Sequence, residues 1–147
     1  MLSRVLVVVL LSNPPAEVAR LDRHSAAEAL ATGAARAERA LGHLRSRGRP
    51  GLWALTAALR RHPEPEARAR LLRAVGALAD VDPRGAAHVL RRGLTHRSPE
   101  VRATAARSLA EARLPAGTSI LLAHAADPDP EVRDALAEAL AAQGALR

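Results

Sequence analysis

Three segments of this chain share one skeleton: RHPEPEARARLLRAVGALA (61–79), THRSPEVRATAARSLAEA (95–112) and ADPDPEVRDALAEALAA (126–142). Each opens on a proline-containing turn, continues with Glu, a small or β-branched apolar residue and Arg, and runs into an Ala/Leu-rich stretch. Glu66, Glu100 and Glu131 mark the register at spacings of 34 and 31 residues. A helical unit that recurs at this period cannot bury its apolar stripe alone, whereas copies stacked side by side can. The pattern predicts an all-α fold, a right-handed α-solenoid of stacked antiparallel helix pairs.

The columns of the repeat agree. Ala67, Val101 and Val132 share one position, Leu71, Ala105 and Leu136 the next, and Val75, Leu109 and Leu140 the third. They lie four residues apart, so each set continues one buried stripe. First helices follow the same logic with Leu52, Leu55 and Leu59, then Ala86, Val89, Leu90 and Leu94. Read this way the chain is a single repeat domain with units at about 2–32, 51–79, 83–112 and 116–143, and an irregular helix and linker at 34–50. In that linker SRGRPG (46–51) carries the breakers Gly48, Pro50 and Gly51. Pro83, Pro99, Pro115 and Pro130 fall at or just before helix starts, with Asp82, Ser98 and Asp129 as N-caps.

Hydrophobic residues make up 48% of the chain, yet Phe and Tyr are absent and alanine dominates, so the core must be thin and closely packed. Without cysteine there are no disulfides and no thiolate chemistry. All 22 basic residues are Arg, and the net charge is +7. The charge is uneven: residues 36–113 carry 17 Arg against 7 acids, whereas 114–147 carry 2 against 5. That asymmetry points to an anionic partner or to head-to-tail self-attraction. The run VLVVVLL (5–11) is far shorter than the ~20 apolar residues of a membrane-spanning helix, and no small-residue cleavage site follows it. It reads as the first solenoid helix of a cytoplasmic protein with no membrane association.

These residues resemble HEAT repeats, in the short variety named after phycobilisome lyases. DPDPEVRDALAEAL (127–140) matches that pattern of an Asp-Pro turn, a Val-Arg pair and an Ala-Leu helix; the likeness covers 51–143 well and 1–32 loosely. Tetratricopeptide repeats share a period of about 34 residues, but their aromatic positions are missing, as is the Thr-Pro-Leu-His turn of ankyrin repeats. The resemblance implies a pairing of a turn Asp with the helix Arg six residues later. Asp127 and Arg133 keep it, whereas His62 stands opposite Arg68 and His96 opposite Arg102. Arg68, Arg102, Asp127 and Arg133 are therefore expected to be structural, with Asp80 or Asp82 as other acceptors for the first two arginines.

Nothing in the sequence points to catalysis, and the chain is expected not to be an enzyme. There is no nucleophile elbow and no phosphate-cradling Gly loop. Some HEAT-repeat hydroxylases hold iron through His-Glu pairs, but none of His24, His43, His62, His88, His96 and His124 is followed by Glu, so neither metal nor cofactor is expected. DNA glycosylases of HEAT-like build use aromatic residues, and the one aromatic here, Trp53, is expected at the edge of the core. The repeat resemblance alone implies no bilin lyase chemistry.

Opposite the buried stripe, at 100° per residue, the second helices present Arg73, Arg107 and Glu138 in successive units, with Arg70 adding to the basic end. This column marks the expected binding surface, on the concave face that second helices usually line in such solenoids. The reading is a non-enzymatic scaffold for a protein partner or a second copy of the chain. The alternative is a nucleic-acid module using Arg70, Arg73, Arg107 and the Arg91/Arg92 pair.

Overall fold

The computed structural model describes residues 23–32 and 37–144, and all regular structure among them is helical. In chain order the helices are α1 (Arg23–Thr32), α2 (Ala37–Ser46), α3 (Arg49–Arg61), α4 (Pro65–Ala77), α5 (Pro83–Gly93), α6 (Pro99–Ala112), α7 (Gly117–Leu122) and α8 (Pro130–Gly144). The Val-rich run at 5–11, and the first expected unit up to residue 22, lie outside the described residues.

Proline sets the helix starts. It occupies the first turn of α3, α4, α5 and α6, where its fixed φ suits the helix and its missing N–H would have no intrahelical partner. Asp82 caps α5 by accepting from Gly85 N at 3.2 Å. Asp129 caps α8 by accepting from Glu131 N at 2.9 Å and Val132 N at 3.3 Å. Ser98 stands at the N-cap of α6 but makes no side-chain cap; instead its backbone N–H donates to His96 Nδ1 at 3.1 Å.

The segment expected as a linker is a tight turn. Only Arg47 and Gly48 separate α2 from α3, and Pro50 and Gly51 already belong to the first turn of α3. Proline as a breaker and proline as a helix starter look alike in sequence, and here the second role wins. Gly48 adopts φ +65, which favours glycine. A Cβ on Gly51 would sit 2.1 Å from Leu44 O, so the helices meet backbone to backbone there. α7 is only 6 residues long, because residues after Leu122 close successive single turns down to Asp127.

The second helices α4, α6 and α8 pack each on the next, and α1 extends that row by packing on α4. Behind the row α3, α5 and α7 pair with α4, α6 and α8, while α2 packs on α1 and α3. The result is the expected α-solenoid. One hydrophobic cluster runs through it from Ala26 to Ala139. The expected columns line it, with Leu140 half-buried at its edge. Leucine and valine supply most of the buried area, at about 1.5–3 kcal/mol for each fully buried side chain. Alanine, glycine and serine let the helices close up: a Cβ on Gly76 of α4 would lie 3.1 Å from Ser108 Cβ of α6.

Trp53 is not at the core edge. It is 64% exposed, on the face of α3 seven residues from exposed Arg60, while Leu52, Leu55 and Leu59 face inward. Among the described residues no helix is long and apolar enough to cross a membrane.

Two glycines of α2 and α3 give opposite expectations. Gly51→Ala should destabilise the protein by about 1–3 kcal/mol, since the added methyl must displace backbone. Gly42→Ala, in the interior of α2 with no atom within 4 Å of its Cβ, should stabilise by up to about 1 kcal/mol through helix propensity. Urea denaturation of the two variants checks both signs.

Candidate functional site

The repeated arginines occupy the start of each second helix, one turn inside the proline. From there a guanidinium reaches back over the preceding turn and sideways toward the next repeat. Arg102 does both. Its Nη1 donates to His96 O at 2.9 Å and Arg97 O at 3.1 Å, satisfying carbonyls of its own turn. Its Nε and Nη2 donate to Asp127 Oδ2 at 2.8 Å and Oδ1 at 2.9 Å, a two-pronged bond to the following turn. Both side chains are nearly buried, at 13% and 7% exposed. Asp127 Oδ1 also accepts from Asp129 N at 2.9 Å. Bonds from Arg102 hold the Asp127 carboxyl below its ordinary value, and the same contact raises Arg102.

Asp127 therefore pairs with Arg102 of the preceding unit rather than with Arg133 of its own. Arg133 keeps only the turn-closing half of the pattern, donating to Asp127 O at 2.9 Å and Pro128 O at 3.0 Å. Arg68 makes no side-chain hydrogen bond among the described residues, and its Nε is buried without a partner. Neither expected substitute acceptor reaches it: Asp80 lies 3.7 Å from Arg45 and Asp82 lies 3.5 Å from Arg49.

At the other end of the row the polarity is reversed. Glu28 on α1 accepts from Arg61 Nε at 2.9 Å and Nη2 at 2.6 Å, and His62 Nε2 lies 2.6 Å from its other oxygen. Arg61 first, then His62, pulls the Glu28 carboxyl below its ordinary value. Arg70, expected on the binding surface, donates to Ala31 O at 3.0 Å and so ties α4 to the last turn of α1.

The outward column has a different character. Arg73 on α4, Arg107 on α6 and Glu138 on α8 are all exposed, on helices packed side by side. Among the described residues neither Arg73 nor Arg107 has an ion-pair or hydrogen-bond partner. Their neighbours in the row behave unequally: Ala69 and Ala103 are buried in the helix contacts and Asp134 is exposed. Across the described residues no three His, Asp or Glu side chains come together as a set of metal ligands.

A family model of HEAT repeats matches residues 52–141. This chain belongs to the HEAT-repeat family. Among solved structures it is similar to human deoxyhypusine hydroxylase in complex with glycerol, with a TM-score of 0.63 and 26% identity over 84% of this chain. The likeness spans 44% of that protein, so the present chain corresponds to less than half of it. No curated protein matches the chain.

This neighbour corrects one expectation from sequence. Deoxyhypusine hydroxylase is an enzyme, so a stack of HEAT repeats gives no ground for reading this chain as non-enzymatic. Equally, fold likeness alone confers no activity, because chemistry lives in particular side chains.

Of the arginines expected to be structural, Arg102 and Arg133 close turns while Arg68 makes no side-chain hydrogen bond among the described residues; the resemblance put Asp127 with Arg133, whereas its carboxylate pairs with Arg102. The signal was there in part: Asp127 follows Arg102 by 25 residues, which is one helix and one first helix away in a stacked pair. The Glu28 clamp left no such signal, since it depends on α1 lying beside the turn that precedes α4.

The ion pairs set the acid limb of stability. Asp127 and Glu28 have folded values below those of the unfolded chain, so protons bind the unfolded state first. Their stabilisation is complete above the unfolded carboxyl values of about 3.9–4.3 and is lost as pH falls through and below them. Urea midpoints measured from pH 6 to pH 3 should fall across that range. Asp127→Ala should cost about 3 kcal/mol at pH 7, because it leaves Arg102 charged and unanswered. Asp127→Asn, which keeps an acceptor for Asp129 N, should cost less, and both variants should lose part of the acid dependence.

Proposed function

We propose that this HEAT-repeat stack is a scaffold that holds a protein partner along the outward face of α4, α6 and α8. The observation that carries this reading is the pair Arg73 and Arg107: two exposed, unpartnered guanidinium groups on adjacent helices, one repeat apart. Glu138 continues the column with the opposite sign, so the face offers a directional charge pattern, basic to acidic, that a folded partner can match in one orientation. Arginine suits such a surface because its planar fork meets carboxylates in pairs. Arg70 anchors the neighbouring helix and is spectator to binding in this account.

Nucleic acid is the weaker reading. A phosphate backbone asks for a continuous basic track, whereas Glu66, Glu100, Glu131 and Glu138 interleave with the arginines on the same helices. Arg91 and Arg92 stand on α5, in the other layer. A second copy of the chain remains a partner of the right kind, because the acidic α8 end complements the basic middle.

The test is charge reversal. Arg73→Glu with Arg107→Glu should weaken partner binding at least tenfold while leaving the helical circular dichroism and urea midpoint unchanged. Arg84→Glu on α5 serves as the control and should bind as wild type. Sizing chromatography of the same variants separates a second copy from a different protein, and duplex DNA across a salt series reads out nucleic acid. Unchanged binding in the double variant would remove this face as the site.

A further inference from the structure

The three repeat arginines are equivalent in register but not in what answers them. Asp127 answers Arg102 across the repeat boundary. One repeat earlier, the same turn position is His96, and the arginine facing it is Arg68. His96 reproduces one half of the aspartate's work: its Nδ1 accepts from Ser98 N at 3.1 Å, as Asp127 Oδ1 accepts from Asp129 N at 2.9 Å. It cannot reproduce the other half. With Nδ1 accepting, the proton of the neutral ring sits on Nε2, so the ring offers Arg68 neither a charge nor a second acceptor. Burial first, then Arg68, Arg97 and Arg102, keeps His96 in that neutral form.

Arg68 lines a cleft of about 480 Å³ between α3 and α5, on the first-helix side of the stack and apart from the Arg73–Arg107 column. Arg60, Arg92 and Arg97 join Arg68 and His96 around it, over an apolar floor that includes Leu59 and Leu72. Among the described residues no Asp or Glu lines it. The Nε of Arg68 is buried without an acceptor, which costs free energy that an added acceptor on this side chain would offset. Three further arginines around it, with no acid among the lining residues, deepen the positive potential.

We propose that this cleft binds a small phosphorylated molecule, whose phosphate oxygens accept from Arg68 as Asp127 accepts from Arg102. Several arginines lining one cleft with no carboxylate among the lining residues suit a dianion better than a single carboxylate, and the guanidinium fork matches phosphate geometry. The volume falls within the ~300–1,000 Å³ of small-molecule sites, so it leaves room for an organic body on the apolar floor. A bounded cleft with arginines grouped at one place suits a terminal phosphate better than a polymer backbone, which asks for a continuous basic track.

The test uses the full chain, with inorganic phosphate as the probe and chloride at matched ionic strength as the reference. Phosphate should raise the melting temperature in a saturable way, and calorimetry should give one site. Arg68→Gln should weaken phosphate binding at least tenfold. His96→Asp supplies the missing carboxylate from the chain itself, as repeat four already does. That variant should melt higher than wild type in chloride and lose the phosphate response. Arg91→Gln, outside the cleft, should respond as wild type, and so should Arg73→Glu with Arg107→Glu, which separates this site from the outward face. A non-saturable phosphate effect, or His96→Asp retaining wild-type phosphate binding, overturns the proposal. Should Arg68→Gln fail to fold, the His96→Asp result decides alone.

Discussion

The stack depends on a guanidinium that spans two repeats. Arg102 closes the turn beneath its own helix and at the same time grips the carboxylate of the next turn. Taking two ions out of water costs several kcal/mol for each, and only near-ideal geometry with every remaining lone pair satisfied offsets that. Here the geometry is of that kind: two parallel bonds between the side chains, two carbonyls on Nη1, and a backbone N–H on the carboxylate. At this boundary the buried ion pair adds a directional contact to the non-directional packing of the hydrophobic stripes.

That constraint also explains the division of labour among arginines. At the start of the second helices, Arg102 and Arg133 close the turns beneath them, whereas Arg68 has no acceptor among the described residues. Those five residues further on, Arg73 and Arg107, turn outward and are left unanswered within the described residues. Alanine and glycine at the helix contacts bring α4 and α6 close, so the outward side chains stand on one surface with the spacing of the repeat. HEAT repeats thus furnish a rigid row, and the chemistry of each protein is written on its deviations.

Much of the fold could be read from the sequence because periodicity records burial directly. Val101, Leu109 and Leu136 fall in columns only if the helices stack, and Asp82 and Asp129 cap where proline starts a helix. What the sequence could not convey was direction. The resemblance to HEAT repeats implied Asp127 with Arg133, six residues apart in one unit; the structure pairs Asp127 with Arg102, because a side chain at a helix start also reaches the next repeat's turn. Trp53 misled for a related reason: it adjoins Leu52 in sequence, but 100° of rotation carries it to the solvent side. Pro50 and Gly51 read as breakers, whereas a proline in the first turn starts a helix. For the outward column, helical geometry from sequence predicted exposure at all three positions, and Arg70 alone was drawn off by a carbonyl of α1 that no pattern could have announced.

One ion pair fastens the boundary between Arg102 and Asp127, and its counterpart one repeat earlier is absent among the described residues. A pair of double-mutant cycles tests it most directly: Arg102→Met with Asp127→Leu, and Arg68→Met with His96→Leu, each read by urea denaturation at neutral pH. The account predicts a coupling of about 2 kcal/mol or more for Arg102 with Asp127 and under about 0.5 kcal/mol for Arg68 with His96. Equal couplings in the two cycles, or a negligible one between Arg102 and Asp127, would contradict it.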